Sequence, residues 1–414
     1  MKFIVAQIGA RRSYAVPTIL ENAEMLERFY TDVTGNVGSG GFSSVAAAFP
    51  FIGKPARRLN SRRLPKNIRG KTTTFLALSL VHAFRRTMIK RNPGAMFRDS
   101  IRFSNALGRA MARHGFGNAT HVYSMLGECG PLLSAAKERG LSVVSEIYIL
   151  LSTERLLTEE RKKFPGWEPN VPDFAAIRRE RGDEDALFTR SDFAICPSEA
   201  VHDDLVKNFG FVREHTAIVP YGMNAELLSV RNEPLRGRVL FAGTAELRKG
   251  IHYLAMAAEK LASRGIRCEF RVAGNVEPPI ANQPSCRRLN FLDRIPRDKM
   301  KCEFAAADIF VLPSLAEGSA EATYEALACG VPVVTTPEAG SIVRDGIEGR
   351  IVRSRDSEAL ADAITEIVED REKRDRMAQA ARERAREFTW ERYGERLIAA
   401  LKSFATKGHE PARA

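Results

Sequence analysis

The sequence predicts an α/β protein of two Rossmann-like domains, and three observations lead there. The chain has 414 residues, beyond the size at which one hydrophobic core usually stops growing, so two domains are expected. Hydrophobic residues make up 44% and charged residues 28%, which excludes fibrous and wholly disordered classes. The second half alternates short apolar runs with amphipathic stretches: RVLFAG, GIHYLAMAAEKLASRG, CEFRVAG, PRDKMKCEFAAA, DIFVLPS, SAEATYEALACG and VPVVTT. Short strands separated by such helices imply βαβ units and a parallel sheet, with ligands gathering beyond the strands' carboxyl ends.

In the first half FIVAQIG, THVYSML, LSVVSEIYI, FAICPS and HTAIVPYG read as buried strands. Residues 35 to 118 carry no pattern that assigns their fold. The polar stretch NAELLSVRNEPLRG, with its Pro and Gly, marks an interdomain linker. The expected division is a first domain over 1–222, a linker over 223–236 and a second domain over 237–388. A C-terminal helix over 389–406 and a tail over 407–414 complete it.

Six cysteines, none in a CxxC pair, signal neither a disulfide framework nor a zinc site and suit a reducing cytoplasm. The opening residues read as a first strand rather than a signal peptide. The longest apolar tract, about Thr73 to Phe84, contains His82 and falls short of the roughly 20 residues of a membrane span. The net charge is +12, and about +10 of it falls in the first 220 residues. Residues 51–113 hold sixteen basic residues against one acid, Asp99. Such density suits an anionic partner, here expected to be the inner face of a membrane; a solvated basic face is the plainer alternative. The tract has no nucleic-acid-binding motif or aromatic interleaving, so no nucleic-acid partner is expected.

Several lookalikes fail on spacing or context. Gly70-Lys71-Thr72 imitates the end of a phosphate-binding loop, but Pro65 stands where its first glycine belongs. Asp183-Glu184-Asp185 has a metal-holding spacing, yet sits in a charged helical stretch rather than at a strand end. GNVGSGGFSSV lacks a preceding strand, and no two histidines pair at metal spacing. No metal and no resident cofactor are expected.

The segment DIFVLPSLAEGSAEATYEALACGVPVV is a strand, a loop and a helix. Glu317 closes the loop, Gly318 and Ser319 are expected to open the helix, and Glu325 lies two turns on. Free amides and the positive end of the helix dipole make an anion site suited to a diphosphate. In RVLFAGTAELRKGIHYL a strand ends at Gly243 and a helix starts after Lys249. Arg248 and Lys249 therefore stand where a cation is disfavoured unless an anion is bound.

Together these residues resemble the retaining glycosyltransferase family four, of the GT-B fold. Its pattern of Glu, seven residues, Glu, then Ala-hydrophobic-Ala-small-Gly, is matched by Glu317, Glu325 and Ala326 to Gly330. Its Gly, six residues, Lys-Gly loop resembles Gly243 with Lys249 and Gly250. The segment with Ala339-Gly340 and Asp345-Gly346, and FAICPSEAVHDDLVKNFG in the first half, are similar too. The resemblance implies two domains facing across a cleft, with C-terminal helices packing back on the first. It also implies sugar transfer from a UDP- or GDP-linked donor to a glycan or polyprenyl-linked acceptor, as in cell-surface polysaccharide synthesis.

By this resemblance Glu317 binds the donor sugar, Lys249 neutralises the departing diphosphate, and the amides of Ser319 and Ala320, beside Gly318, hold it. Glu325 takes the ribose, and Gly274, Asn275 and Arg294 flank the base. Where the family often has arginine after the first glycine, this chain has Thr244, so Arg248 is assigned the second positive charge. Where it often has a histidine near the acceptor, LSVVSEIYILLS offers Glu146 or Tyr148; Gly9, after the first strand, is placed with them. Competing readings are a GT-B phosphorylase, a nucleotide-sugar epimerase and a non-catalytic nucleotide-sugar-binding subunit.

Overall fold

A computed structural model describes residues 1–38, 62–89, 92–169, 171–180 and 190–405. The first sheet is formed by β1 (Phe3–Gln7), β2 (Leu26–Thr31), β3 (Thr72–Thr74), β4 (His121–Met125), β5 (Ser142–Glu146), β6 (Phe193–Cys196) and β7 (Thr216–Ile218). The second is formed by β8 (Arg238–Ala242), β9 (Glu269–Ala273), β10 (Leu289–Phe291), β11 (Ile309–Leu312), β12 (Val333–Thr335) and β13 (Gly349–Ile351). Their orders are β3-β2-β1-β4-β5-β6-β7 and β10-β9-β8-β11-β12-β13, and the strand pairs are parallel. Each order reverses once, between β1 and β4 and between β8 and β11, which puts a ligand crevice at the carboxyl end of each sheet. The central strands FIVAQ, SVVSE and IFVL are buried along their whole length, as two-sided burial of a parallel sheet demands.

All the strands read from the sequence are present. Those it did not offer, β2, β3, β10 and β13, include three of only three residues. The described residues of the unassigned stretch include β3 and the α-helices Leu76–Ile89 and Pro93–His114. The second starts with Pro93 in its first turn and with Asn92 Oδ1 accepting the Ala95 amide at 2.9 Å, a sound N-terminal cap. Asp183-Glu184-Asp185, much of the glycine-rich segment and the 407–414 tail lie outside the described residues. No helix among the described residues is long and apolar enough to cross a membrane.

Two chain crossings join the domains side by side: the Met223 amide donates to the Phe388 carbonyl at 2.9 Å. After the second crossing the helix Trp390–Ala405 packs on the first domain, stacking Phe404 on Phe193 with ring centres 4.6 Å apart. The domain contact is polar and buried as well. Glu160, fully buried on the helix Thr153–Lys163, accepts from Tyr253 Oη (2.6 Å), His252 Nε2 (3.0 Å) and Arg355 Nε (2.7 Å) of the second domain. Burial alone would raise the Glu160 carboxyl, but those donors outweigh it and hold it down at about 2. Burial likewise lowers His252.

Candidate functional site

The loops following β8, β9 and β10 are laced by backbone bonds. Gly243 N donates to Ala273 O at 2.9 Å, Ala245 N to Asn275 O at 2.8 Å and Gly274 N to Asp293 O at 2.9 Å. Thr244, Asn275 and Arg294 therefore stand exposed on one rim. After β8 a single turn, Leu247–Lys249, leads through Gly250 into the helix Ile251–Ser263. Gly250 has φ 72°, and a Cβ there would lie 2.0 Å from the Pro313 carbonyl oxygen, so both its conformation and its surroundings demand glycine.

That turn delivers two cations to one carboxylate. Lys249 Nζ lies 2.5 Å from Glu317 Oε1 and Arg248 Nη1 lies 2.7 Å from Oε2. Arg248 also meets Glu246 at 2.5 Å and donates to the Ala316 carbonyl at 3.0 Å. Burial opposes its charge, but Glu317 and Glu246 raise its pKa regardless. The Glu317, Lys249 and Arg248 side chains are 12%, 15% and 21% exposed, so the cluster is sheltered yet open to a ligand.

The helix after Glu317 begins later than the sequence suggested, at Glu321. Residues 317–320 instead run beside residues 338–340: Glu317 N donates to Glu338 O at 2.9 Å and Ala320 N to Ala339 O at 3.0 Å. Ser319 Oγ lies 2.7 Å from Gly340 O and 2.6 Å from Tyr324 Oη. Gly318 and Ser319 thus belong to the loop, and the Ala320 amide is already engaged rather than free for a diphosphate. Glu325 is raised by burial and by Glu321, with Arg297 acting in the other direction. None of the described residues donates a hydrogen bond to its carboxylate, which leaves it unpaired for hydroxyl donors. The charges acting on it are those of Glu321 and Arg297, not those of Lys249 and Arg248.

Across the cleft, a cavity of ≈ 840 Å³ opens at the carboxyl ends of β1, β2 and β4, and Gly9, Asp32, Glu128 and Tyr148 are among its lining residues. Gly9, with φ 78°, has open space where a Cβ would stand, and its amide donates to Asp32 Oδ1 at 2.9 Å. Tyr148 connects the halves: a Cβ on Gly318 would lie 2.0 Å from the Tyr148 carbonyl oxygen. Ser198 Oγ reinforces this seam by donating to Gly318 O at 2.6 Å.

Glu146 does not share the cavity. It is 1% exposed, accepts from Tyr123 Oη at 2.6 Å and forms an ion pair with Arg12. A buried carboxylate so enclosed positions Arg12 rather than touching an acceptor. Arg12 is the residue that sequence reading missed. It lies in a turn where Arg12, Ser13 and Tyr14 all have positive φ (45°, 51°, 65°), an uncommon run for residues with a Cβ. Its guanidinium is stacked 3.5 Å from the Tyr221 ring centre and lies 3.9 Å from Glu321, at the start of the second-domain helix. Nothing in ARRSY signals left-handed backbone.

Among the described residues one group, Glu199, His202 and Asp203, places potential metal-ligating atoms within 4.8 Å of one another. It lies outside this cluster, and Asp203 is already paired with Lys207 at 2.6 Å.

Two facing Rossmann-like domains with this crossing define the GT-B fold, and solved structures agree. The chain is similar to HepE of Anabaena in complex with UDP, with TM-score 0.60 and 15% identity over 97% of this chain and 100% of that one. It is also similar to the sucrose-phosphate synthase of Thermosynechococcus elongatus, with TM-score 0.63 and 15% identity over 99% and 100%. Residues 232–384 match the model of the family Glycosyl transferases group 1. The D-inositol 3-phosphate glycosyltransferase of Corynebacterium urealyticum is 27% identical over 55% of this chain and 60% of its own length. An uncharacterized glycosyltransferase of Methanocaldococcus jannaschii is 28% identical over 49% and 57%. The chain thus spans about six tenths of the length of these relatives.

Proposed function

We propose that the chain transfers a sugar, with retention of anomeric configuration and without a metal ion, from a UDP- or GDP-sugar to an acceptor in the first-domain cavity. The observation that carries this reading is the Glu317 carboxylate gripped by Lys249 and Arg248 at the carboxyl end of the second sheet. A sugar diphosphate entering there offers hydroxyls to Glu317 and phosphate oxygens to the two cations. As the glycosidic bond breaks, charge develops on the leaving phosphate, and fixed cations acting on that charge commonly contribute several kcal/mol. The departing phosphate oxygen accepts the acceptor's proton on the face from which it leaves, which gives retention without a protein base.

Glu325, unpaired and raised, takes the ribose hydroxyls, and Asn275 and Arg294 border the base. The HepE structures in complex with UDP and with UDP-glucose support a nucleotide-sugar donor. The acceptor is a glycan or a lipid-linked molecule of the kind used in cell-surface polysaccharide synthesis. The test is product analysis with UDP- and GDP-sugars in the presence of EDTA. Transfer giving the donor's anomer with full activity is expected. An inverted product, or activity restored only by Mn²⁺ or Mg²⁺, overturns the mechanism.

A further inference from the structure

The helix Leu76–Ile89 is built inside out. None of its residues is buried, and five of the eight exposed large hydrophobic residues among those described lie on it. Leu76, Leu80, Phe84 and Met88 recur every fourth residue and so share one face; they are 36%, 61%, 68% and 75% exposed, with Val81 beside them at 49%. The polar residues face inward: Ser79, His82 and Arg86 line the first-domain cavity. There His82 Nδ1 lies 2.8 Å from Asp99 Oδ2 and its ring stacks on Phe103 at 4.0 Å. A helix on a water-facing surface has the opposite arrangement, and a contiguous apolar patch of this kind marks an interaction surface.

The charges beside the patch identify what covers it. Phe84, Met88 and Ile89 share a surface groove with Arg85, Arg98 and Arg102. Only Arg98 of these three has a carboxylate partner among the described residues, Glu180 at 3.1 Å. An apolar face bordered by guanidinium groups complements an anionic bilayer, with acyl chains under the face and headgroup phosphates beside the arginines. The helix has 14 residues, too few to span a bilayer and enough to lie in its surface.

We propose that the helix Leu76–Ile89 lies in the headgroup region of an anionic membrane, so that an acceptor carried on a lipid enters the cavity directly behind it. This deepens the reading of that cavity as the acceptor site. The lipid's polar head meets Ser79, His82 and Arg86, while its tail stays among the acyl chains on the outer face.

The experiment is flotation of the full chain with vesicles of phosphatidylcholine alone or mixed with phosphatidylglycerol, alongside UDP-sugar thermal shifts and light scattering. The chain is expected to float with anionic vesicles and to release as salt rises. The triple variant Leu80→Ser, Phe84→Ser, Met88→Ser changes only exposed side chains. It should lose about tenfold or more in vesicle affinity while keeping its donor-induced shift. Arg85→Ser and Arg102→Ser should each lose roughly fivefold. No flotation of the native chain, or equal flotation of the triple variant, overturns the proposal. So does a dimer that the triple variant dissolves, since a second copy would then be the occupant. Flotation without any donor shift would keep the membrane helix and reject the transferase reading instead.

Discussion

The donor-side loops and the first-domain cavity face each other across one cleft, yet they are built by opposite means. On the donor side the backbone does the shaping. Gly243, Ala245 and Gly274 lace three loops with their amides, and one turn places Arg248 and Lys249 against Glu317. On the other side the walls are side chains brought from positions as far apart as Ile8 and Arg178. A site made by short strand-loop-helix units is written in contiguous sequence, and a site made by tertiary convergence is not. The same contrast separates two helices of nearly equal length: Ile251–Ser263 has eight buried residues, and Leu76–Ile89 has none.

The largest effect is expected where the two regions are latched together. Glu160→Ala leaves His252 and Tyr253 without their buried partner, which should cost about 4 kcal/mol of stability, read as a lowered melting temperature. The latch also sets a pH dependence. The folded-state carboxyl is depressed to about 2, so its stabilisation is complete above the ordinary glutamate value and is lost as pH falls through about 2. His252, lowered by burial, removes stability in the same direction below its ordinary value near 6.5. Acid unfolding of Glu160→Gln should be correspondingly flatter below pH 4.5; an unchanged acid limb would remove the latch from the account.

Next come the donor residues. Glu317→Ala and Lys249→Ala should each slow transfer about a hundredfold, on the order of 3 kcal/mol, with stability little changed because both side chains stand partly open. Gly318→Ala attacks the seam itself. Its Cβ would press on the Tyr148 carbonyl at 2.0 Å, an overpacking cost of about 2 kcal/mol that should appear in melting temperature and transfer rate together. On the cavity side Arg86→Ala should raise the acceptor KM about tenfold, roughly 1.4 kcal/mol, and leave kcat near normal. A fall in kcat alone would move Arg86 from acceptor binding to some other role.

What the sequence disclosed follows the same division. The donor half was legible because RVLFAGTAELRKG and DIFVLPSLAEGSAEATYEALACG each carry strand, loop and helix in order. Even there the helix start was misplaced. Residues 338–340, some twenty positions on, bond to residues 317–320 and hold them as loop, and no local pattern announces that competition. Glu146 read as an acceptor-side group because it stands where the resembled family often has a histidine, but its burial depends on Tyr123, Tyr221 and Arg12 converging from elsewhere. The apolar tract Thr73 to Phe84 was visible from composition; that its apolar face turns outward was not. Periodicity shows that a helix has two faces, and only its packing shows which one meets water.

The central claim is that Lys249, Arg248 and Glu317 form a nucleotide-sugar site, and thermal unfolding with a panel of UDP- and GDP-sugars tests it most directly. A donor that binds only the folded chain should stabilise it by about 2.7 kcal/mol at a hundred times its Kd, and Lys249→Ala should abolish most of that gain. No shift with any member of the panel, or a shift in Lys249→Ala and Glu317→Ala as large as that of the native chain, would contradict the claim.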